Sequence, residues 1–383
     1  MNPDPATSND DILYGAGSVL HTGDGRELID LLSGFGSVFL GHSHTEIVAA
    51  VKRQAGQVWS CGRLPNAARR QADQLLASVL PDGMALAGTY STGMETVEFA
   101  LRVAASHTKR QNFLGFARSM HGKSAMTASL CWSNAPISLS HAQVVPFTDG
   151  ASEGAILDRV ETLLRQETFA ALLVEPVQGS NGCAGASPAF YAELIGLCRR
   201  YGTLCLFDEY LTGLYRTGPR FFCEGVQVQP DMLVFGKSMA NGFPCGALAL
   251  RRDIEVLGAA LPGSTFAGNP LAAAATAATL AAMQALPMTA MVERLGSIIE
   301  ESLAPCVDIG MRLRGAGALW SLEPASAALS TVPLSALAER ISAAGVIISP
   351  AAGAIRLLPC ATMAPDLLAD ACHRIATICL DLY

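Results

Sequence analysis

Lysine is nearly missing: Lys52, Lys109, Lys123 and Lys237 are the only four in 383 residues, and arginine supplies the other basic side chains. Charged residues make up only 15% of the chain while half of it is hydrophobic, which leaves apolar surface for a core and for a subunit interface. An oligomer is expected. With a net charge of -7 and a pI near 5.5, the chain lacks the basic surface that holds nucleic acid or an anionic bilayer, so neither is an expected partner. Eleven cysteines run from Cys61 to Cys379 with no C-x-x-C pair and no His-Cys cluster at ligand spacing. No metal site is expected, and reduced thiols in a cytoplasmic protein are. The start, MNPDPATSNDDILYG, lacks the positive and apolar regions of a secretory signal and reads as a flexible arm over residues 1–10. The most apolar run, Leu271 to Met288, is alanine-rich, follows Pro270 and is interrupted by Gln284. It predicts a buried helix rather than a membrane span.

From about residue 45 to 270, short apolar runs alternate with amphipathic stretches. Ala171 to Val174, Thr203 to Phe207, Met232 to Phe235 and Ala247 to Leu250 are such runs. They predict an α/β fold with a largely parallel, buried sheet. Three of the runs end at Glu175-Pro176, Asp208-Glu209 and Gly236-Lys237, and carboxyl ends of parallel strands point into the crevice where such sheets bind ligands. Beyond Pro270 come an alanine-rich helix, a Gly-Arg segment from Arg312 to Gly317 and a helical end from Pro365 to Tyr383. The expected layout is an N-terminal segment, 11–45, joining a small C-terminal domain, 271–383, around a large domain, 46–270.

Lys237 follows an apolar strand and precedes Asn241-Gly242-Phe243-Pro244. A lysine at the partly buried end of a core strand loses solvation of its charged form, so its amine becomes nucleophilic toward an aldehyde. On that pattern alone a surface lysine at a strand end is the commoner reading. Asp208 closes the strand Leu204 to Phe207, where a carboxylate is costly without a positive partner. The pyridinium N–H of pyridoxal phosphate is such a partner, and an anionic carboxylate opposite keeps that ring able to accept electrons. Ser91-Thr92-Gly93-Met94-Glu95 opens a helical stretch from Thr96 to Ala105. Such a turn either presents free N–H groups to a phosphate or is an ordinary N-cap.

Taken in order, these segments resemble the class III pyridoxal-phosphate-dependent aminotransferases, the family of ornithine and ω-amino acid aminotransferases and of glutamate-1-semialdehyde aminomutase. The resemblance runs from about Leu28 to Pro359. It is carried by Ile29-Asp30, Gly41-His42-Ser43-His44, Ser91 to Glu95, His121-Gly122, Glu175 to Gly179, Asp208-Glu209, Arg216-Thr217-Gly218, Lys237 and Ser264 to Pro270. It implies the aspartate aminotransferase-like fold type I, in which a large domain with a mainly parallel seven-stranded sheet binds pyridoxal 5'-phosphate and a small α+β domain is appended. It also implies a homodimer with shared active sites.

The family's roles carry over residue by residue as expectations. Lys237 holds the cofactor as a Schiff base (aldimine) and shuttles protons, and Asp208 faces the ring nitrogen. Thr92, Gly93 and Met94 cradle the phosphate, joined by Thr265 of the neighbouring subunit. Gln178 lies near the phenolic oxygen, and Glu175 on the substrate side; both could instead merely satisfy a strand-to-loop turn. Arg356 matches the arginine that pairs with a substrate carboxylate in many relatives and swings away in amine-specific ones. Trp59, Cys61 and Arg63 fall where relatives line the substrate entrance, although Trp59 could also be a core or interface aromatic.

Three positions depart from the family. Met120 stands before His121 where an aromatic ring usually stacks on the cofactor. Tyr210 stands where a valine usually lies under its other face, so the aromatic could have changed sides. Tyr215 replaces the usual glycine before Arg216. The expected reaction is ping-pong transfer of an amino group from a small-molecule donor to an aldehyde or ketone acceptor. Aminomutase, racemase and decarboxylase chemistry start from the same adduct and stay open, as does a non-catalytic cofactor-binding protein.

Overall fold

The computed structural model describes residues 11–383 except 63, 133, 149–151, 257, 259, 262, 327–331 and 352. The expected arm at 1–10 and Arg63 therefore lie outside the described residues.

A seven-stranded sheet forms the centre, in the order Met84–Tyr90, Gly246–Arg251, Met232–Gly236, Leu204–Glu209, Phe169–Val174, Asn112–Phe116, Ala142–Val145. Gly246–Arg251 pairs antiparallel with both neighbours, and the other strands run one way. The four apolar runs expected to be strands are strands here. The three inner ones are buried at every residue, so they read as continuous apolar runs without alternation.

Period two nonetheless sorts their side chains. Leu206, Met232, Val234 and Leu248 join the core beneath the helix Gly93–Thr108 through Val97, Ala100 and Leu101. Cys205, Phe207, Leu233, Phe235 and Ala247 pack on the opposite face with Phe190, Tyr191 and Leu194 of the helix Pro188–Arg200. Gly115 shows how tightly the first layer closes: a Cβ there would lie 3.1 Å from the Leu130 carbonyl carbon.

Two smaller sheets complete the chain. Ile12–Ala16, Val19–Thr22 and Glu27–Asp30 form an antiparallel set that Val346–Ile347 extends in parallel. Met311–Ala316, Leu319–Pro324, Ala354–Leu357 and Ser349–Ala351 form the other, in that order. The Leu271 to Met288 run is not one helix. Pro270–Gln284 stops, Pro287 lacks the N–H to continue it, and Met288–Asp308 leaves at 79°. Among the described residues no single helix is long and apolar enough to cross a membrane.

Arg216 ties these parts together. It is fully buried, and its guanidinium donates to the carbonyls of Gly36 (2.7 Å), Pro359 (2.8 Å) and Ala318 (3.1 Å) while lying 4.1 Å over the Phe39 ring. The Gly36 carbonyl is delivered by a left-handed turn in which Ser33, Gly34, Phe35 and Gly36 all have positive φ. A Cβ on Gly36 would stand 2.9 Å from Leu211 Cδ1. The expected result of Arg216→Met is a loss of about 3 kcal/mol, since each buried carbonyl left without a donor costs about 1–3 kcal/mol. Urea unfolding midpoints at matched cofactor load measure it, and a change below about 1 kcal/mol would show that water replaces the guanidinium.

Candidate active site

Three neighbouring parallel strands end side by side. Leu204–Glu209 carries Asp208, Met232–Gly236 runs into Lys237 on one flank, and Phe169–Val174 runs into Glu175 on the other. They close the floor of a cavity of about 180 Å3. Gly93, Met94, Val97, Met120, His121, Gly122, Ser180, Tyr210, Leu211 and Arg356 complete its lining.

Asp208 is 3% exposed, and its Oδ2 lies 2.7 Å from Nδ1 of the buried His121. A carboxylate accepts, so Nδ1 carries the hydrogen in this pair. Asp208 Oδ1 takes the Tyr210 N–H at 3.1 Å. His121 Nε2 is buried with no partner among the described residues. Glu175 accepts from the Met120 N–H at 2.8 Å and the Gly179 N–H at 3.1 Å. Burial, and then the Asp208 charge beside it, pushes its pKa well up.

The Lys237 side-chain amine makes no hydrogen bond or ion pair among the described residues. Burial pulls its amine pKa down, the Arg356 and Arg216 charges act in the same direction, and Glu175 and Asp208 oppose them. Its φ is +40°, a left-handed conformation that costs a non-glycine residue on the order of 1–3 kcal/mol and gathers at functional sites. Arg356 is 9% exposed and without a carboxylate within 4 Å among the described residues. It donates to the Ser349 hydroxyl at 2.7 Å and the Gly179 carbonyl at 3.2 Å, and its Nε has no partner among the described residues.

Gly93 and Met94 stand at the first turn of Gly93–Thr108, where helical N–H groups have no intrahelical acceptor. Thr92 caps that turn by accepting from the Glu95 N–H, and Glu95 folds back onto the Ser91 N–H. Thr92 thus shapes the turn without lining the cavity, while Ser91 Oγ beside it is buried with no partner among the described residues. Tyr210 lies in a slot of glycines: a Cβ on Gly93 would be 2.7 Å from its ring, and one on Gly246 3.2 Å. Its hydroxyl donates to the Cys245 carbonyl, and the Gly93 and Lys237 N–H groups turn toward it. Met120 and Tyr210 both line the cavity.

Other expected residues are not brought to it. Gln178 is fully buried, with its amide taken up by Ala117, Ser119 and Asn181; it holds the loop after Glu175 in shape. Trp59 is 65% exposed and bonds to the Ala55 carbonyl. Cys61 is half-buried and Thr265 exposed, and neither lines the cavity of the single chain. Ser180, Leu211 and Ser349 escaped the sequence reading. The first two directly follow recognisable motifs, whereas nothing in the Ser349 neighbourhood marks it.

The comparisons agree with this geometry. The model of the family described as aminotransferase class-III matches residues 7–379. A 2-aminoadipate transaminase of Pseudomonas putida is 31% identical, over 91% of this chain and 90% of that protein. An acetylornithine aminotransferase of Rhodobacter capsulatus is 30% identical, over 94% and 92%. A transaminase of the marine bacterium Virgibacillus shares the fold at a TM-score of 0.89 and 22% identity, over 98% of this chain and 93% of that one. The chain belongs to the class III aminotransferases, enzymes of fold type I that transfer amino groups with pyridoxal phosphate. The donor set fits that cofactor: an unbonded lysine amine, a carboxylate–histidine pair across the cavity, and a glycine-bearing helix start.

Glu209, next to Asp208 but turned from the cavity, is fully buried, and burial raises its pKa from 4.5 to about 7 although Phe222, Cys223 and Thr212 donate to it. A raised folded-state pKa gives stability that is complete below pH 4.5 and is lost as pH rises through about 7. Glu175 slopes the same way. Chemical unfolding of the apoenzyme between these pH values should therefore show stability falling, with Glu209→Gln removing about half of the slope. An unchanged slope in that variant would assign the titration elsewhere.

Proposed function

We propose that Lys237, Asp208, His121 and Arg356 divide the work of amino transfer in this cavity. The observation that carries the reading is the Lys237 amine, unbonded among the described residues, just past the end of the strand beside the one that carries Asp208 and its His121 partner. Pyridoxal phosphate, when bound, supplies an aldehyde carbon that takes up amines and a ring that accepts the electrons released when a C–H bond breaks.

Lys237 Nζ would hold the cofactor and, when freed from it, would accept and return the proton at the reacting carbon. Its lowered pKa leaves the amine free to accept that proton. Asp208 would face the ring nitrogen and hold a proton there, and His121 keeps the Asp208 carboxyl oriented. Gly93 and Met94 bind the phosphate through main-chain N–H groups, on a turn capped by Thr92. Met120 and Tyr210 flank the ring, a thioether packing well on a π face. Arg356 and Glu175 face the substrate, with Arg356 taking a carboxylate. The carboxylate-bearing compounds in the names of the 2-aminoadipate and acetylornithine relatives support that choice.

Gln178 acts through its loop in this reading, and Thr265 and Trp59, exposed in one chain, serve a homodimer in which Thr265 reaches the partner's phosphate site. The residues 46–270 form the cofactor domain, with 11–45 and 271–383 making up the smaller one. Eleven free cysteines, most of them buried, suit the cytoplasm. The turnover is ping-pong, with a carbonyl acceptor closing the cycle.

Absorption spectroscopy of the purified enzyme tests this. A visible cofactor band should be absent from Lys237→Ala, should bleach when one amino donor is added, and should return only when a carbonyl acceptor follows. The same band in Lys237→Ala would remove Lys237 from its role. Return of the band without an acceptor would favour aminomutase or racemase chemistry.

A further inference from the structure

Arg356 sits on the strand Ala354–Leu357, between Leu319–Pro324 and Ser349–Ala351. In the antiparallel register it is directly opposite Ser321 on one side and Ser349 on the other. Directly opposed residues share a face of the sheet, so two serines flank one arginine. All three are buried, Ser321 and Ser349 almost completely.

The two serines are not equivalent. Ser349 Oγ accepts from Arg356 Nη2 at 2.7 Å, whereas Ser321 Oγ has no partner among the described residues. The other end of the guanidinium donates to the Gly179 carbonyl at 3.2 Å. Gly179 is itself anchored, its N–H to Glu175 and its Cα face against Leu211. Bonds at two different nitrogens fix the plane of the fork, and a single bond would leave it free to turn. What remains, among the described residues, is a buried cation bordering the cavity with no anion and an unused Nε.

The geometry points to Ser349 as a positioning residue that latches Arg356 in place for a substrate carboxylate and so sets the discrimination between carboxylate-bearing and uncharged substrates. The inference rests on the reading of Arg356 as the carboxylate contact. An arginine side chain that is already immobilised loses less freedom when its ligand arrives, so the latch adds affinity for anions alone. It lies outside every motif of the family resemblance, on a strand whose own sequence, Ser-Pro-Ala, is unremarkable.

The test is titration of the holoenzyme with glutarate, a dicarboxylate without amine or carbonyl, and with its uncharged diamide. Calorimetry and the shift of the cofactor absorption both report binding without turnover. Wild type should bind glutarate in clear preference to the diamide. Ser349→Ala and Ser349→Cys should lose about ten-fold in glutarate affinity, the scale of one hydrogen bond to a charged group, with little change for the diamide. Ser349→Thr should restore most of it, and Ser321→Ala, the matched change across the same arginine, should stay within about two-fold. Arg356→Ala should lose glutarate binding altogether. If wild type fails to bind glutarate, or Arg356→Ala binds it unchanged, the Arg356 reading falls and the latch with it. If Arg356→Ala loses binding while the Ser349 variants keep it, or if the Ser349 variants lose diamide and glutarate equally, the latch alone is overturned.

Discussion

A carboxylate shut away from water at the end of a core strand has to be held by donors, and the rest of the site follows from how Asp208 meets that demand. His121 supplies the strongest contact at 2.7 Å, from a segment 87 residues earlier in the chain. The Tyr210 N–H occupies the second oxygen. Once that strand end is settled, its neighbours in the parallel sheet are settled too, because each strand delivers its terminal residue to the same edge. Glu175 and Lys237 thus flank Asp208 with opposite charges in a medium that strengthens their interaction. Their pKa values move in opposite directions, Glu175 up and Lys237 down. The two values converge toward neutral pH, where both groups exchange protons readily.

The small sheets serve the same edge. Arg356 comes from the C-terminal one, and Arg216 pins the N-terminal turn at Gly36 and the C-terminal carbonyls of Ala318 and Pro359 into one fixed arrangement. Asp30 supports that turn by accepting from the Leu32 and Ser33 N–H groups while its other oxygen meets His42. The segments Ile29-Asp30 and Gly41 to His44, part of the resemblance, are therefore explained here by folding rather than by contact with the cavity.

Much of the fold was legible because its signals are local. Continuous apolar runs mark fully buried parallel strands, and polar residues at their ends mark the crevice; Lys237 and Asp208 stand at such ends and border the cavity. The long apolar run after Pro270 was misread as a single helix, since apolar content hides a break that a proline three residues beyond Gln284 enforces. Gln178, expected near the cofactor or at a strand-to-loop turn, bonds its side-chain amide to Ala117, Ser119 and Asn181, contacts that no local signal announces.

By itself the sequence determined the strand pattern and the one lysine at a strand end, because burial and periodicity act over a few neighbouring residues, while its ordered motifs carried the family resemblance that implies the class of chemistry. Only the tertiary structure decided who stands beside whom. It paired His121 with Asp208, laid the Tyr210 ring against Gly93 and Gly246, and set Ser349 rather than Ser321 on Arg356. Those choices depend on register and on layers closing over one another, and such contacts between distant segments leave no periodic trace along the chain.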